Sequence, residues 1–375
     1  TAPLAPMRPA VAALVGRRAS GHGRPMIFSS DNWAGASPKV LDALSAAGRL
    51  PPSPAYGDDP LTRRLNATFA RLFEREVDVL LVPTGTAANA LALAAFSPPW
   101  GQLLLHEEGH PAVDECGAPE FFAGTRTATL PGRFGKLDAN DLARRLASWP
   151  IGVHHGKPSV LSIAQANESG RIYTPAETKA LADVAHAHGL ALHMDGARLA
   201  NAVARLGVSL AEVTWKAGVD VLSFGATKGG CLMAEAIVSF VPGKREELEY
   251  RRKRAGHLVS KHRLIAAQFE AWLDGDHWLE LATHANAMAD RLAAGIARSN
   301  VARLAWTHEA NELFVALPKP VAARLEAAGA RFYEWPTSAL GPEERPAEGE
   351  SLHRLVTSFA TTEAEVDAFL AALAG

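Results

Sequence analysis

The sequence predicts an α/β fold: a large domain built on a mostly parallel sheet, followed by a smaller C-terminal α+β domain. Three observations carry that reading. From about residue 79, short apolar runs alternate with segments of helical spacing, which implies crossover connections and a sheet covered on both faces. Past Pro242 the texture changes to long amphipathic helices and strands of alternating polarity. At 375 residues, the chain is long enough for one large domain and a smaller one.

The elements follow in order. Apolar runs at 79–82, 103–105, 159–163, 190–192, 219–222 and 236–240 are the strands expected of the sheet. Helical spacing is found at 87–95, 175–187 and 209–216. The segment 245–254 is highly charged, and 261–273 and 278–297 are long amphipathic helices. Residues 312–317 and 352–358 alternate like half-buried strands, with a helix at 320–328 between them. The expected division is a disordered leader at 1–25, a large domain at 26–243 and a small domain at 244–375. The leader is expected because the first thirty residues hold four arginines before any acid and lack the pattern of a secretory signal.

Composition excludes several classes. Hydrophobic residues at 48% and charged residues at 21% are ordinary for a soluble globular protein. The formal net charge of −2, with arginines scattered along the chain, gives no footprint for nucleic acid. Two cysteines, Cys116 and Cys231, make no disulfide framework and fit a reducing compartment, so a cytoplasmic protein is expected. No apolar run approaches the ~18 residues of a membrane span.

Two segments carry the most chemistry. Asp195, in His193-Met194-Asp195-Gly196-Ala197-Arg198, falls at the carboxyl end of a strand, where α/β folds place their ligands. Lys228, in Gly225-Ala226-Thr227-Lys228-Gly229-Gly230, follows the next strand, and its glycines let backbone approach a ligand closely. A carboxylate that keeps a pyridine nitrogen protonated and a lysine that forms an imine are what pyridoxal phosphate chemistry needs. Either residue alone is equally a helix cap or a solvated loop lysine. Thr84-Gly85-Thr86 lies where a strand meets a helix, so its amides and the Thr86 hydroxyl suit a phosphate, although an ordinary capped turn reads the same way.

His106-Glu107-Glu108-Gly109-His110 matches the zinc-hydrolase pattern H-E-x-x-H. That chemistry needs a helix presenting both imidazoles on one face. Here the motif follows a strand, contains Gly109 and ends at Pro111, so zinc is not expected at it. His110 reads better as a flat ring available to stack on a planar cofactor.

Together these segments resemble the threonine aldolase family, specifically the low-specificity L-threonine aldolases, from about Phe28 to the C-terminus. The motifs appear in family order: Ser29-Ser30-Asp31, Tyr56-Gly57-Asp58-Asp59, Pro83-Thr84-Gly85-Thr86-Ala87-Ala88-Asn89, His193 to Arg198, and Thr227-Lys228. Asp114-Glu115-Cys116-Gly117 and Thr214-Trp215-Lys216-Ala217-Gly218 add to the likeness. The resemblance implies an aspartate-aminotransferase-type fold with a seven-stranded-type sheet, and pyridoxal 5'-phosphate as cofactor. It implies that Lys228 holds the cofactor, Asp195 pairs with the ring nitrogen, and Gly85 and Thr86 hold the phosphate with Thr227 nearby. His110 would stack on the ring and serve as a base. Ser30, Arg198 and Arg354 would bind the substrate carboxylate. Arg263 would reach the neighbouring subunit's phosphate, in a homotetramer whose sites form at dimer interfaces.

One position departs from the family. Many members carry a Thr-His pair where this chain has Asn167-Glu168. Glu168 can replace that histidine as a base if burial raises its pKa toward neutrality. The base is therefore left open between His110, Glu168 and a water. The implied reaction is cleavage of β-hydroxy-α-amino acids, with other pyridoxal reactions on the same scaffold, or zinc hydrolysis through His106 and His110, as alternatives.

Overall fold

The computed structural model describes residues 26–337, 340–341 and 344–375. The leader expected at 1–25 lies outside the described residues. Strands β1 (Met26–Ile27), β2 (Asp78–Val82), β3 (Gly101–His106), β4 (Arg126–Leu130), β5 (Lys157–Ala164), β6 (Ala191–Gly196), β7 (Val221–Gly225) and β8 (Glu235–Ser239) are followed by five shorter or C-terminal ones. These are β9 (Arg303–Leu304), β10 (Glu312–Pro318), β11 (Ala330–Arg331), β12 (Tyr333–Glu334) and β13 (Glu350–Val356).

The large sheet has seven strands in the order β2-β8-β7-β6-β5-β3-β4. Only β8 runs antiparallel to its neighbours; the other pairings are parallel. Strands β6, β7 and β8 are almost wholly buried, as expected when helices cover both faces. The α/β expectation holds, and six of the seven strands fall at or beside the apolar runs. The exception is β4, an edge strand whose Arg-Thr-Ala-Thr-Leu sequence buries only Leu130. The run at 219–222 begins too early, because Val219 is buried in the loop before β7. The helix expected at 209–216 is a single turn, Leu210–Val213, and a 3-10 turn, Trp215–Ala217. Thr214 separates them, its hydroxyl bonding the Leu210 carbonyl.

The smaller sheet, β12-β13-β10-β9, is antiparallel. Its core also takes Met26 and Phe28, because β1 pairs in parallel with β11. Conversely, helix Arg263–Leu273 and Trp278 join the core of the large sheet. The packing therefore does not divide at residue 243. The chain enters through the small layer and crosses to the large one, and residues just past 244 still cover the large sheet. Among the described residues, no helix is long and apolar enough to cross a membrane.

Trp272 anchors this cover. It is fully buried in an aromatic cluster with Phe224, Phe269 and Trp278. Its indole N–H donates to the Gly229 carbonyl at 2.9 Å, so it also fixes the backbone beside Lys228. A Cβ at Gly229 would lie 2.9 Å from the Trp272 ring, which is why the position needs glycine. Trp272→Phe removes the indole donor and should cost about 1–3 kcal/mol. Trp272→Ala should cost about 3–5 kcal/mol. Thermal melts should rank wild type above the Phe variant and the Phe variant above the Ala variant; a Phe variant melting with the wild type would contradict the role given to the N–H.

Candidate active site

The parallel strands point their carboxyl ends at one cavity of about 370 Å³, within the roughly 300–1,000 Å³ of small-ligand sites. It brings together Lys228, Asp195, His110, Glu168, Gly85, Thr86, Thr227 and Arg198. Asp195 is the penultimate residue of β6 and is buried. Its Oδ1 accepts from the Ala197 amide at 3.0 Å, and its Oδ2 accepts from Asn89 Nδ2 at 2.7 Å. Both oxygens thus face donors, which suits an ionised carboxylate. Lys228 follows β7 in a turn closed by the Gly229 amide bonding Ala226 and by Thr227 Oγ1 accepting from the Ala234 amide at 3.1 Å.

Across the cavity, helix Gly85–Phe96 begins at the Thr84 cap, whose Oγ1 accepts from the Ala87 amide at 3.2 Å. The earlier amides of Gly85 and Thr86 have no partner within the helix and lie at its positive end. A Cβ built on Gly85 meets nothing within 4 Å, so open space lies over the turn. Four features are what pyridoxal phosphate requires: a lysine, a hydrogen-bonded carboxylate, an anion-binding helix start and a flat imidazole. The residues present fit that group.

His110 opens the short helix His110–Val113, directly after β3. Its Nδ1 lies 2.9 Å from Glu115 Oε1, and its backbone N–H donates to Glu168 Oε1 at 3.0 Å. The hydrogen bond to Glu115 raises the His110 pKa. Glu168 is pushed up to about 7, chiefly by burial and further by the nearby Asp195 charge. It sits in a turn organised by Asn167, whose Oδ1 accepts from the Ser169 and Arg171 amides at 3.1 and 2.9 Å. Asn167 thus builds the turn, and Glu168 faces the cavity.

Arg198 lines the cavity with its fork already engaged. Nε and Nη2 donate to Asp31 at 2.7 and 2.9 Å, and Nη2 lies 3.3 Å from Glu312. Burial would raise the Asp31 carboxyl, but the Arg198 guanidinium outweighs it and holds Asp31 at about 2. The other three expected residues lie off the cavity wall. Ser30 caps a 3-10 turn by accepting from the Asn32 amide, and Asn32 rather than Ser30 lines the cavity. The Arg354 guanidinium stacks on Trp335 at 4.5 Å, 3.7 Å from Glu312. Arg263 begins its helix and donates to the Pro51 carbonyl at 3.1 Å.

The H-E-x-x-H segment runs from the end of β3 through a turn into the start of a helix, with Gly109 as the cap. His106 is buried and accepts from the Glu108 amide. His106 and His110 share no helix face, which removes the geometry of a zinc hydrolase. The described residues do place ligand atoms of His110, Glu115 and Asp195 within 4.8 Å of one another, and Asn89 already bridges the two carboxylates.

Three buried polar residues of the cavity escaped the sequence reading of the site. Asn89 is the one polar residue among the buried positions of its helix, Ala87 to Ala95. Glu235 is an acid at the start of a fully buried strand, pushed up to about 7 by burial while Thr227 and Lys228 oppose the rise. Both carry a legible signal, a single polar group in an apolar run. Glu115 carries none, since its loop reads as surface.

A family model described as beta-eliminating lyase matches residues 28–318. The low specificity L-threonine aldolase of Pseudomonas aeruginosa is 43% identical over 307 residues, covering 82% of this chain and 88% of that protein. A second, from a Pseudomonas species, is 41% identical over the same length. The chain belongs to the threonine aldolases. Among solved structures, a Leishmania major threonine aldolase superposes with a TM-score of 0.85 at 30% identity, covering 93% of this chain and 98% of that one. This threonine aldolase chain thus carries the family fold almost throughout, the small antiparallel sheet included.

The raised pKa of Glu168 has a consequence for stability. With a folded value of about 7 against an ordinary 4.5, its contribution is full below pH 4.5 and is lost as pH rises through 7. The loss approaches roughly 3 kcal/mol above that window. Glu168→Gln keeps an acceptor for the His110 amide and removes the charge. It should melt above the wild type at pH 8, with the gap closing toward pH 4.5. An equal offset at both pH values would count against the buried, near-neutral carboxyl.

Proposed function

We propose that this chain is a pyridoxal 5'-phosphate-dependent aldolase. It cleaves L-threonine, L-allo-threonine and related β-hydroxy-α-amino acids to glycine and an aldehyde. The observation that supports it most is the convergence of Asp195, Lys228 and the Thr84-Gly85-Thr86 helix start on one cavity. When bound, the pyridoxal ring supplies an electron sink for the pair released at the substrate's α-carbon.

The chain's residues do the remaining work. Lys228 would hold the cofactor through its side-chain amine. Asp195, already accepting two hydrogen bonds, would be the acceptor for the ring's N–H. The amides of Gly85 and Thr86 take the phosphate, and Thr227 braces the Lys228 turn. Arg198 orients the substrate carboxylate, with Ser30 and Arg354 completing the clamp in the ligand-bound form. Orientation matters because the bond to be broken must stand perpendicular to the ring. Glu168 is the base for the β-hydroxyl proton, since its value near 7 lets it accept a proton at neutral pH and lose it again. His110 covers the ring face and can share that role.

The reading extends to assembly and location. Arg263 lies off its own cavity, which supports a role at the phosphate of a neighbouring subunit in a homotetramer built of dimers. The two cysteines, free and unpaired, fit the cytoplasm. The family description favours β-elimination as the second reading.

Release of glycine and acetaldehyde from L-threonine and L-allo-threonine, with and without added cofactor, tests the proposal. Serine and β-phenylserine separate elimination from other aldol cleavage by their products. Lys228→Ala should lose both the visible absorption of lysine-bound pyridoxal and at least a thousandfold in turnover, on the order of a lost covalent catalyst. Wild-type turnover in that variant would sink the reading.

A further inference from the structure

We propose that Glu115 is the positioning residue for His110, and that Asn89 ties this pair to Asp195 as one hydrogen-bonded unit. The proposal rests on the reading of the cavity given above.

The geometry begins in the loop after the short His110 helix. Cys116 and Gly117 both adopt left-handed backbone, with φ of 52° and 71°. That turn folds Glu115 back beneath the His110 ring, where its side chain has no exposed surface. Glu115 Oε1 then meets two groups, His110 Nδ1 at 2.9 Å and Asn89 Nδ2 at 2.8 Å. The same Asn89 nitrogen donates to Asp195 Oδ2 at 2.7 Å. An amide nitrogen carries two hydrogens, and both are used here. The reverse orientation would turn the amide oxygen toward two carboxylates. Asn89 Oδ1 is accordingly buried with no partner, so the carboxylates, and not local satisfaction, set the direction of the amide.

The arrangement decides what His110 presents to a ligand. A carboxylate accepting from Nδ1 requires the proton to sit there. Nε2 is then the nitrogen left for the cavity, carrying a lone pair when the ring is neutral. The logic is that of an acid–histidine pair, in which the acid fixes tautomer and orientation and stabilises the charged ring. Other charged groups also face this ring. Asp195 favours the imidazolium, Lys228 and burial oppose it, and Glu168 holds the backbone amide of the same residue. The Glu115 hydrogen bond is the largest of these influences.

A purely structural carboxyl at this position would be hard to account for. Burying it costs free energy, and its Oε2 finds no partner. Its partners are a ring and an amide on the cavity wall.

Glu115→Gln keeps the shape and an acceptor for Nδ1–H while removing the charge. The protonation midpoint of His110, read by NMR of histidine-labelled, cofactor-free protein and assigned with His110→Asn, should fall by about one unit or more. The acid limb of the pH profile for threonine cleavage by the cofactor-loaded enzyme should move to lower pH with it. Glu115→Asp should restore both in part. An unchanged midpoint overturns the proposal, and so does a shifted midpoint with an unmoved acid limb. If the Gln variant does not fold, Glu115→Asp alone carries the test through a smaller fall, and no fall overturns it. A shifted midpoint in a protein that releases no glycine from any substrate would support the pairing and defeat the aldolase reading.

Discussion

The parallel pairing of β6 with β7 is the constraint on which the site depends. It aligns Asp195 with Ser223 and Gly196 with Phe224. The two strands therefore end side by side, and the chain leaving β7 reaches Lys228 beside the carboxylate. Neither residue needs a long excursion to meet the other. A Cβ at Gly196 would lie 2.7 Å from the Ser223 carbonyl and one at Gly225 2.8 Å from Ala197, so the strand ends are pressed together. Small residues at those two positions allow the approach, and Trp272 holds the loop beyond it.

Buried charge in this molecule is arranged in pairs that share partners. His193, two residues before Asp195, is fully buried between Ser162 and Ser223, at 2.8 and 2.9 Å from their hydroxyls. Burial lowers its pKa to about 4, so it is neutral and adds no charge behind the acid. Asp195 faces the cavity with amide donors on both oxygens and no cation in direct contact. That is a favourable setting for an acid meant to pair with a ligand's N–H, because a resident salt bridge would compete for the same lone pairs. Burial raises the pKa of Glu115 and of Glu168, and their nearness to Asp195 adds to the rise.

Much of this was legible in the sequence, for identifiable reasons. Strands buried on both faces leave continuous apolar runs, so β2, β3, β5 and β8 stand out. Strand β4 does not, because an edge strand half open to solvent has no such run. Lys228, Asp195 and Thr84-Gly85-Thr86 could be placed because each sits just past a strand or at a helix start, where periodicity changes. Glu115 was illegible as a site residue, and Asn89 showed only that it is a polar group in an apolar helix, because the role of the two is tertiary. They lie 26 residues apart and acquire a role only when His110 and Asp195 are brought to the same wall. The division at residue 243 is likewise read from local texture, whereas packing is tertiary. A change of texture at residue 243 marks where the sheet ends, and the helices that follow still pack on it.

The arginine cluster shows how geometry limits what charge alone suggests. Arg198 and Arg354 both approach Glu312, at 3.3 and 3.7 Å, and Arg198 also grips Asp31. Two guanidinium groups are thus matched by two buried carboxylates before any ligand arrives. The direction of the Arg198 fork is therefore set by acids of the chain itself. Asp31 fixes the plane of that fork and is itself held by Asn311 at 3.1 Å. A fork held in this way offers a defined angle rather than a bare charge. For a reaction in which one bond of the α-carbon must be singled out, the angle is the more valuable property.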